Sequence, residues 1–193
     1  MRQWLVGHSA NGTEIQTDDL RELVDGNGIL RAGALAGPSP AGSLLVFSQR
    51  ADACIELASW QRHAEDFFGA GLGLTLDKRY PEAFPAVDAA LVVLAPREGS
   101  PDGIRLCYGR PRTDDDLRAA EDADDRAGNN GLGLLARRCR SVWLVVRRGE
   151  GDRTALLLAA IVASVVLGPI LSPEGDLFGV KTARARLERL VAS

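Results

Sequence analysis

The chain predicts an α+β fold: a mixed or antiparallel sheet covered by helices, with one fully buried apolar helix near the C-terminus. Three features carry that expectation. Strand-like and helix-like patterns are mixed along all 193 residues, at least one pair of strands reads as a hairpin, and the uncharged run from Thr154 to Pro173 is apolar all round.

That run is either a membrane span or a helix buried inside a fold. Crossing a bilayer takes about 20 predominantly apolar residues. Here Pro169 removes a backbone donor and biases Gly168 away from helical dihedrals, so the helix is expected to end near Leu167. Ala155 to Leu167 would then reach only about 20 Å. Basic residues flank both ends (Arg147, Arg148 and Arg153; Lys181, Arg184, Arg186 and Arg189), leaving no asymmetry to orient a span. Burial is the better reading. Leu157, Leu158, Ile161, Val162, Val165 and Val166 form a broad face suited to a sheet, while Ala155, Ala159, Ala163 and Ala160, Ser164 make rows of small side chains that admit a second helix.

The other elements follow in order. Trp4–His8 and Gly12–Gln16 flank an Asn11-Gly12 turn signal, which predicts a hairpin. A short helix over Asp18–Asp25 is capped by Thr17 and stopped by Gly26, and Ile29–Leu35 reads as a strand. The Gly, Pro and Ser content of 36–43 makes a loop and the best internal boundary. Leu44–Phe47 is a strand, followed by a helix whose stripe is Ala53, Leu57, Trp60, Ala64 and Phe67. Gly69, Gly71 and Gly73 read as its stop, with a weak strand over Leu74–Leu76. Ala89–Leu94 and Ile104–Tyr108 form a hairpin across a long polar loop. Thr113 and the three aspartates after it start a helix over Arg112–Ala127, because a hydroxyl and negative charge satisfy its free amides and its dipole. Leu132–Arg138 is a short helix, Val142–Val146 a strand, and Val180–Val191 an amphipathic helix whose apolar side is Val180, Ala183, Leu187, Leu190 and Val191. We expect a single α+β domain over 1–193, with 1–36 as a hairpin–helix subregion.

Composition narrows the function classes. A formal charge of −3 lacks the basic excess of a polyanion binder, and 5% aromatic content is thin for a stacking platform, so no nucleic-acid partner is expected. Neither is a membrane partner. Cys54, Cys107 and Cys139 are an odd, widely spaced set that reads as reduced thiols, and the N-terminus lacks the apolar core of a secretory signal, so the expected location is cytoplasmic.

Candidate chemistry is sparse. His63-Ala-Glu65 has the His-x-Glu spacing used by zinc deaminases, but no Pro-Cys-x-x-Cys accompanies it, and helix geometry puts Cys54 and His63 on opposite faces. The acidic block from Asp114 to Asp125 fails the calcium-loop pattern at its glycine and final glutamate, and reads as a solvated helix face. No metal or cofactor is expected. Neither Gly69–Gly73 nor Gly128–Gly133 completes a dinucleotide fingerprint. Arg110-Pro-Arg112, directly before a helix start, is the best anion site, with Lys78 and Arg79 as further cations, although Asp114–Asp116 oppose it. Two functions therefore compete. The first is a protein-interaction or scaffold module without a catalytic site, engaging a protein partner or self-associating as a homo-oligomer. The second is an enzyme or small-ligand-binding domain built on an arginine-lined anion site.

Overall fold

The computed structural model describes residues 7–8, 14–15, 42–50, 55–77, 88–96 and 104–192. Strands β1 (Gly7–His8) and β2 (Glu14–Ile15) pair antiparallel, as the hairpin signal predicts. The Asn11-Gly12 turn, the expected helix over Asp18–Asp25 and the strand over Ile29–Leu35 lie outside the described residues.

The main sheet contains β3 (Ser43–Ser48), β4 (Ala70–Asp77), β5 (Asp88–Pro96), β6 (Ile104–Pro111), β7 (Ser141–Val146), β8 (Ile170–Leu171) and β9 (Leu177–Phe178). Their order is β4-β5-β6-β7-β3-β8-β9, and every pair is antiparallel. The helices are α1 (Leu57–Phe68), α2 (Asp114–Arg126), α3 (Leu132–Arg138), α4 (Arg153–Val166) and α5 (Val180–Ala192). The fold is α+β, with an antiparallel sheet.

Strand periodicity sorts side chains onto two faces. Leu44 and Val46 lie opposite Val145 and Trp143, and Cys107 opposite Val145; these join Trp60, Ala64 and the apolar residues of α4 and α5 in one core cluster. Leu45 and Phe47 lie opposite Leu144 and Val142, with Tyr108 and Arg110 on the same side, and α2 meets this second face through Asp116. Helices therefore cover both sides.

Each helix has a local cause. In α2, Thr113 Oγ1 accepts from the Asp116 amide at 3.2 Å while the Asp116 carboxylate accepts from the Thr113 amide at 2.8 Å, a reciprocal cap. Helix α1 ends at Gly69, whose φ of 62° closes the last turn through a bond to Glu65 O. Its buried side is centred on Trp60 and Ala64, with the Trp60 ring edge-on to Trp143 at 5.1 Å. Phe67, expected on that stripe, is 53% exposed. It sits at the flank, against the His63 ring. The glycines after α1 do more than stop it: Gly71 and Gly73 belong to β4, pairing with Ala95 and Val93.

Helix α4 buries nine of its 14 residues, while Leu156, Leu157 and Ser164 are partly exposed and Arg153 is open. Among the described residues no helix is long and apolar enough to cross a membrane. The small row meets α1, where Ser164 bonds His63, and the chain then turns at Leu167. Leu167 has a φ of 58°, a left-handed backbone costing a side-chain-bearing residue about 1 kcal/mol or more. Because Leu167 is 66% exposed, Leu167→Gly relieves that strain while removing little burial. The variant is expected to gain about 0.5–1 kcal/mol in chemical denaturation. A loss of stability would show that its side chain makes contacts that outweigh the strain.

Candidate functional site

Of the four expected anion-binding cations, Lys78 and Arg79 lie outside the described residues. Arg110 is 1% exposed, and its two terminal nitrogens bond Asp116 at 2.6 and 2.9 Å. Burial alone would raise the Asp116 carboxyl, but hydrogen bonds from Arg110 and Thr113 and the guanidinium charge outweigh it and hold the group below the ordinary aspartate range. Arg112 reaches the other way, donating to the Ala136 and Arg137 carbonyls at 3.2 and 3.1 Å. The two arginines are thus committed to separate internal partners, one tying β6 to α2 and the other binding the end of α3.

Among the described residues His63 has no metal-like surroundings. Its Nδ1 lies 3.0 Å from Ser164 Oγ, whose own proton goes to Ile161 O at 2.6 Å, so the ring donates and Ser164 accepts. That polarity is opposite to a base-activated serine. Among the described residues no three His, Cys, Asp or Glu side chains group as metal ligands. Burial pushes the Cys107 thiol far up and the Cys139 thiol to about 11, so both are protonated at neutral pH and poor nucleophiles.

Among the described residues, a cleft of about 490 Å³ lies between the N-terminus of α4, the β8–β9 turn and α5. Leu44, Leu156, Phe178 and Leu190 give it an apolar lining, and its charged lining is mixed, with Arg147, Arg186 and Arg189 beside Glu150, Asp152, Glu174 and Asp176. Arg147 follows β7 and pairs with Glu174 at 2.5 Å; Arg186 bonds Asp176 at 3.0 Å and lies over the Phe178 ring, 4.1 Å from its centroid. Burial nudges the Glu174 carboxyl upward, but the Arg147 hydrogen bond prevails and keeps it ionised. Arg189 donates its Nε to Ala185 O and has no carboxylate partner among the described residues, and Arg147 Nε is buried without an acceptor there.

The cleft draws its lining from positions scattered between 44 and 190, so no local spacing announces it. The one legible part was the run of basic residues on the last helix, which reads equally as an ordinary solvent face. Comparison with protein-family models, with curated proteins and with solved structures returns no match.

Proposed function

We propose that the chain is a cytoplasmic binding domain for a small organic anion with an apolar body, held in the arginine-lined cleft beside α5. The observation carrying this reading is one concavity of about 490 Å³ in which Arg147, Arg186 and Arg189 adjoin an apolar surface, while three of the four carboxylates that also line it, Asp152, Glu174 and Asp176, are already paired with arginines and only Glu150 is not. Small-molecule sites are typically concavities of about 300–1,000 Å³ with a few placed polar groups. Arg189, which has no carboxylate partner among the described residues, supplies donors for a carboxylate or phosphate. Glu174 and Asp176 restrain the other guanidinium groups, which lowers the entropy lost on binding. The location rests on Cys107 and Cys139, both free thiols, as suits a reducing compartment.

A thermal-shift screen of aryl carboxylates and sugar phosphates, followed by calorimetry, tests the proposal. One of these classes is expected to bind saturably, and Arg189→Ser to weaken it about tenfold, in keeping with a charge-assisted hydrogen bond. Arg118→Ser, on exposed α2 surface outside the cleft, should leave affinity unchanged. Equal affinity of the Arg189 variant and the parent chain, or no binder in either class, overturns it.

Leu167 favours a second reading, a self-associating interaction module. An aliphatic side chain held both strained and solvent-exposed suggests a contact made elsewhere. Light scattering decides this: a concentration-dependent dimer abolished by Leu167→Gly supports it, and a monomer throughout excludes it.

A further inference from the structure

Nearly all the charges that line the cleft beside α5 are neutralised within the protein. Arg147 pairs with Glu174 and Arg186 with Asp176, while Asp152 is taken by Arg105 and by the amides of Arg148 and Ala155. Two charges are left over, one of each sign. Glu150 has no cation partner and Arg189 no carboxylate partner among the described residues, and both are exposed at the cleft. Nor do they pair with each other, so a gap separates them.

The local backbone accounts for both. Glu150 sits in the turn between β7 and α4, flanked by Gly149 and by Gly151, whose φ of 75° is one that side-chain-bearing residues rarely adopt. Two residues on from Glu150, Asp152 is the carboxylate that this turn directs inward, to the cap of α4 and to Arg105, and Glu150 stays at the border of the cleft. Arg189 lies in the last turn of α5; its Nε donates to Ala185 O, and its two terminal nitrogens have no partner among the described residues. Leu156, which is partly exposed, and Leu190, at 40% exposure, offer apolar surface in the same concavity.

A ligand complementary to this lining carries one charge of each sign on an apolar body. A plain anion would answer Arg189 but leave Glu150 as an uncompensated like charge in the same concavity, which opposes its binding. Building on the anion-binding reading above, on which this rests, we propose that the ligand is a zwitterion with an apolar body, a free apolar amino acid or a short apolar peptide. Its carboxylate bonds Arg189, its ammonium bonds Glu150, and its hydrocarbon lies against Leu156 and Leu190. The paired arginines keep their own carboxylates and serve as walls. Glu150 is thus the residue that selects a zwitterion over a simple anion, and a cleft of about 490 Å³ admits either source of that chemistry.

Calorimetry of the full chain with leucine and with leucyl-leucine, each beside its N-acetyl derivative, tests this, because acetylation removes the ammonium and keeps the carboxylate and the apolar body. At least one of the free amines is expected to bind saturably and about fivefold tighter than its acetylated form, the upper end of what an ion pair bordering solvent contributes. Which of the two does so identifies the source. Glu150→Gln, at an exposed turn position, should remove that preference by weakening the free amine alone, with the melting temperature unchanged. Arg189→Ser should weaken both forms. Equal affinity of the free and acetylated forms, or a preference indifferent to Glu150→Gln, overturns the zwitterion, while sensitivity of both forms to Arg189→Ser leaves the anion reading standing. Binding of neither form overturns the zwitterion as well, and the anion reading is then decided by its own screen of aryl carboxylates and sugar phosphates.

Discussion

Asp152→Ala is expected to destabilise the protein by about 3 kcal/mol, because the substitution takes a two-point carboxylate from a buried guanidinium and uncaps a buried helix together. Asp152 accepts from Arg105 Nε and from its terminal nitrogen, both at 2.7 Å, and from the amides of Arg148 at 2.8 Å and Ala155 at 3.0 Å. Both side chains of the pair are nearly closed to solvent. Removing one charge from a buried pair costs about 3–5 kcal/mol when nothing else compensates the partner, and the loss of one of several contacts to Arg105 falls at or below the low end of that range. Asp152→Asn separates the two contributions. It keeps a good capping group and loses only the charge, so about half the effect should remain. Urea denaturation at neutral pH measures both, and a cost below about 1 kcal/mol for the alanine variant would show that Arg105 finds another partner or water.

The same carboxylate fixes an acid response. Burial would raise the Asp152 carboxyl, but the Arg105 bonds, the two amides and the guanidinium charge hold it below the ordinary value, and Asp116 is depressed in the same way. A folded value below the unfolded one, about 3.9, means the unfolded chain takes up protons first as the pH falls. Stability from both groups is complete above about pH 5 and is lost as the pH drops through the folded values. The slope of stability against pH in the acid range should therefore be shallower in Asp152→Ala.

Elements with a local physical signature were legible in the sequence. Thr113 and the aspartates after it mark the start of α2, because capping chemistry is confined to one turn. The apolar runs of β3 and β7 mark central strands, and the Gly168-Pro169 pair closely bounds α4. What was missed depends on neighbours distant in sequence. Strands β8 and β9 are two residues each, too short for any periodicity, and exist because they add to the edge of β3. Arg110 looked available for a ligand because nothing in the spacing says that Asp116 turns back from the first turn of α2 to bind it. Phe67 satisfies the helical stripe of α1 but lies beyond the part that α4 and β7 cover. The cleft was not visible, since it is assembled where the β8–β9 turn meets helices from other parts of the chain.

Gly168→Ala is expected to cost about 3 kcal/mol or more, despite adding a single methyl group. Sequence alone makes this glycine the end of a helix; its actual neighbour is the backbone of β3. A Cβ on Gly168 would collide with the Phe47 carbonyl oxygen and come within 2.6 Å of its carbon. Neither side can retreat. The Phe47 amide donates to Pro169 O at 2.9 Å and the Gln49 amide to Val166 O at 3.1 Å, so the segment leaving α4 is bonded to β3 on both sides of Gly168. Phe47 itself is in register with Val142 of β7, within a strand wholly buried along its length. Relief of the collision would pull β8 away from β3 and break these bonds, taking the α4 terminus with it. Gly149→Ala is the control, because a methyl group there meets open space and should change stability by no more than about 0.5 kcal/mol. Thermal and urea denaturation of the two variants side by side compare a backbone contact with a loop substitution. Equal stability of both would mean that the α4–β8 segment can move off β3 at little cost, and that the edge of the sheet is held by side chains instead.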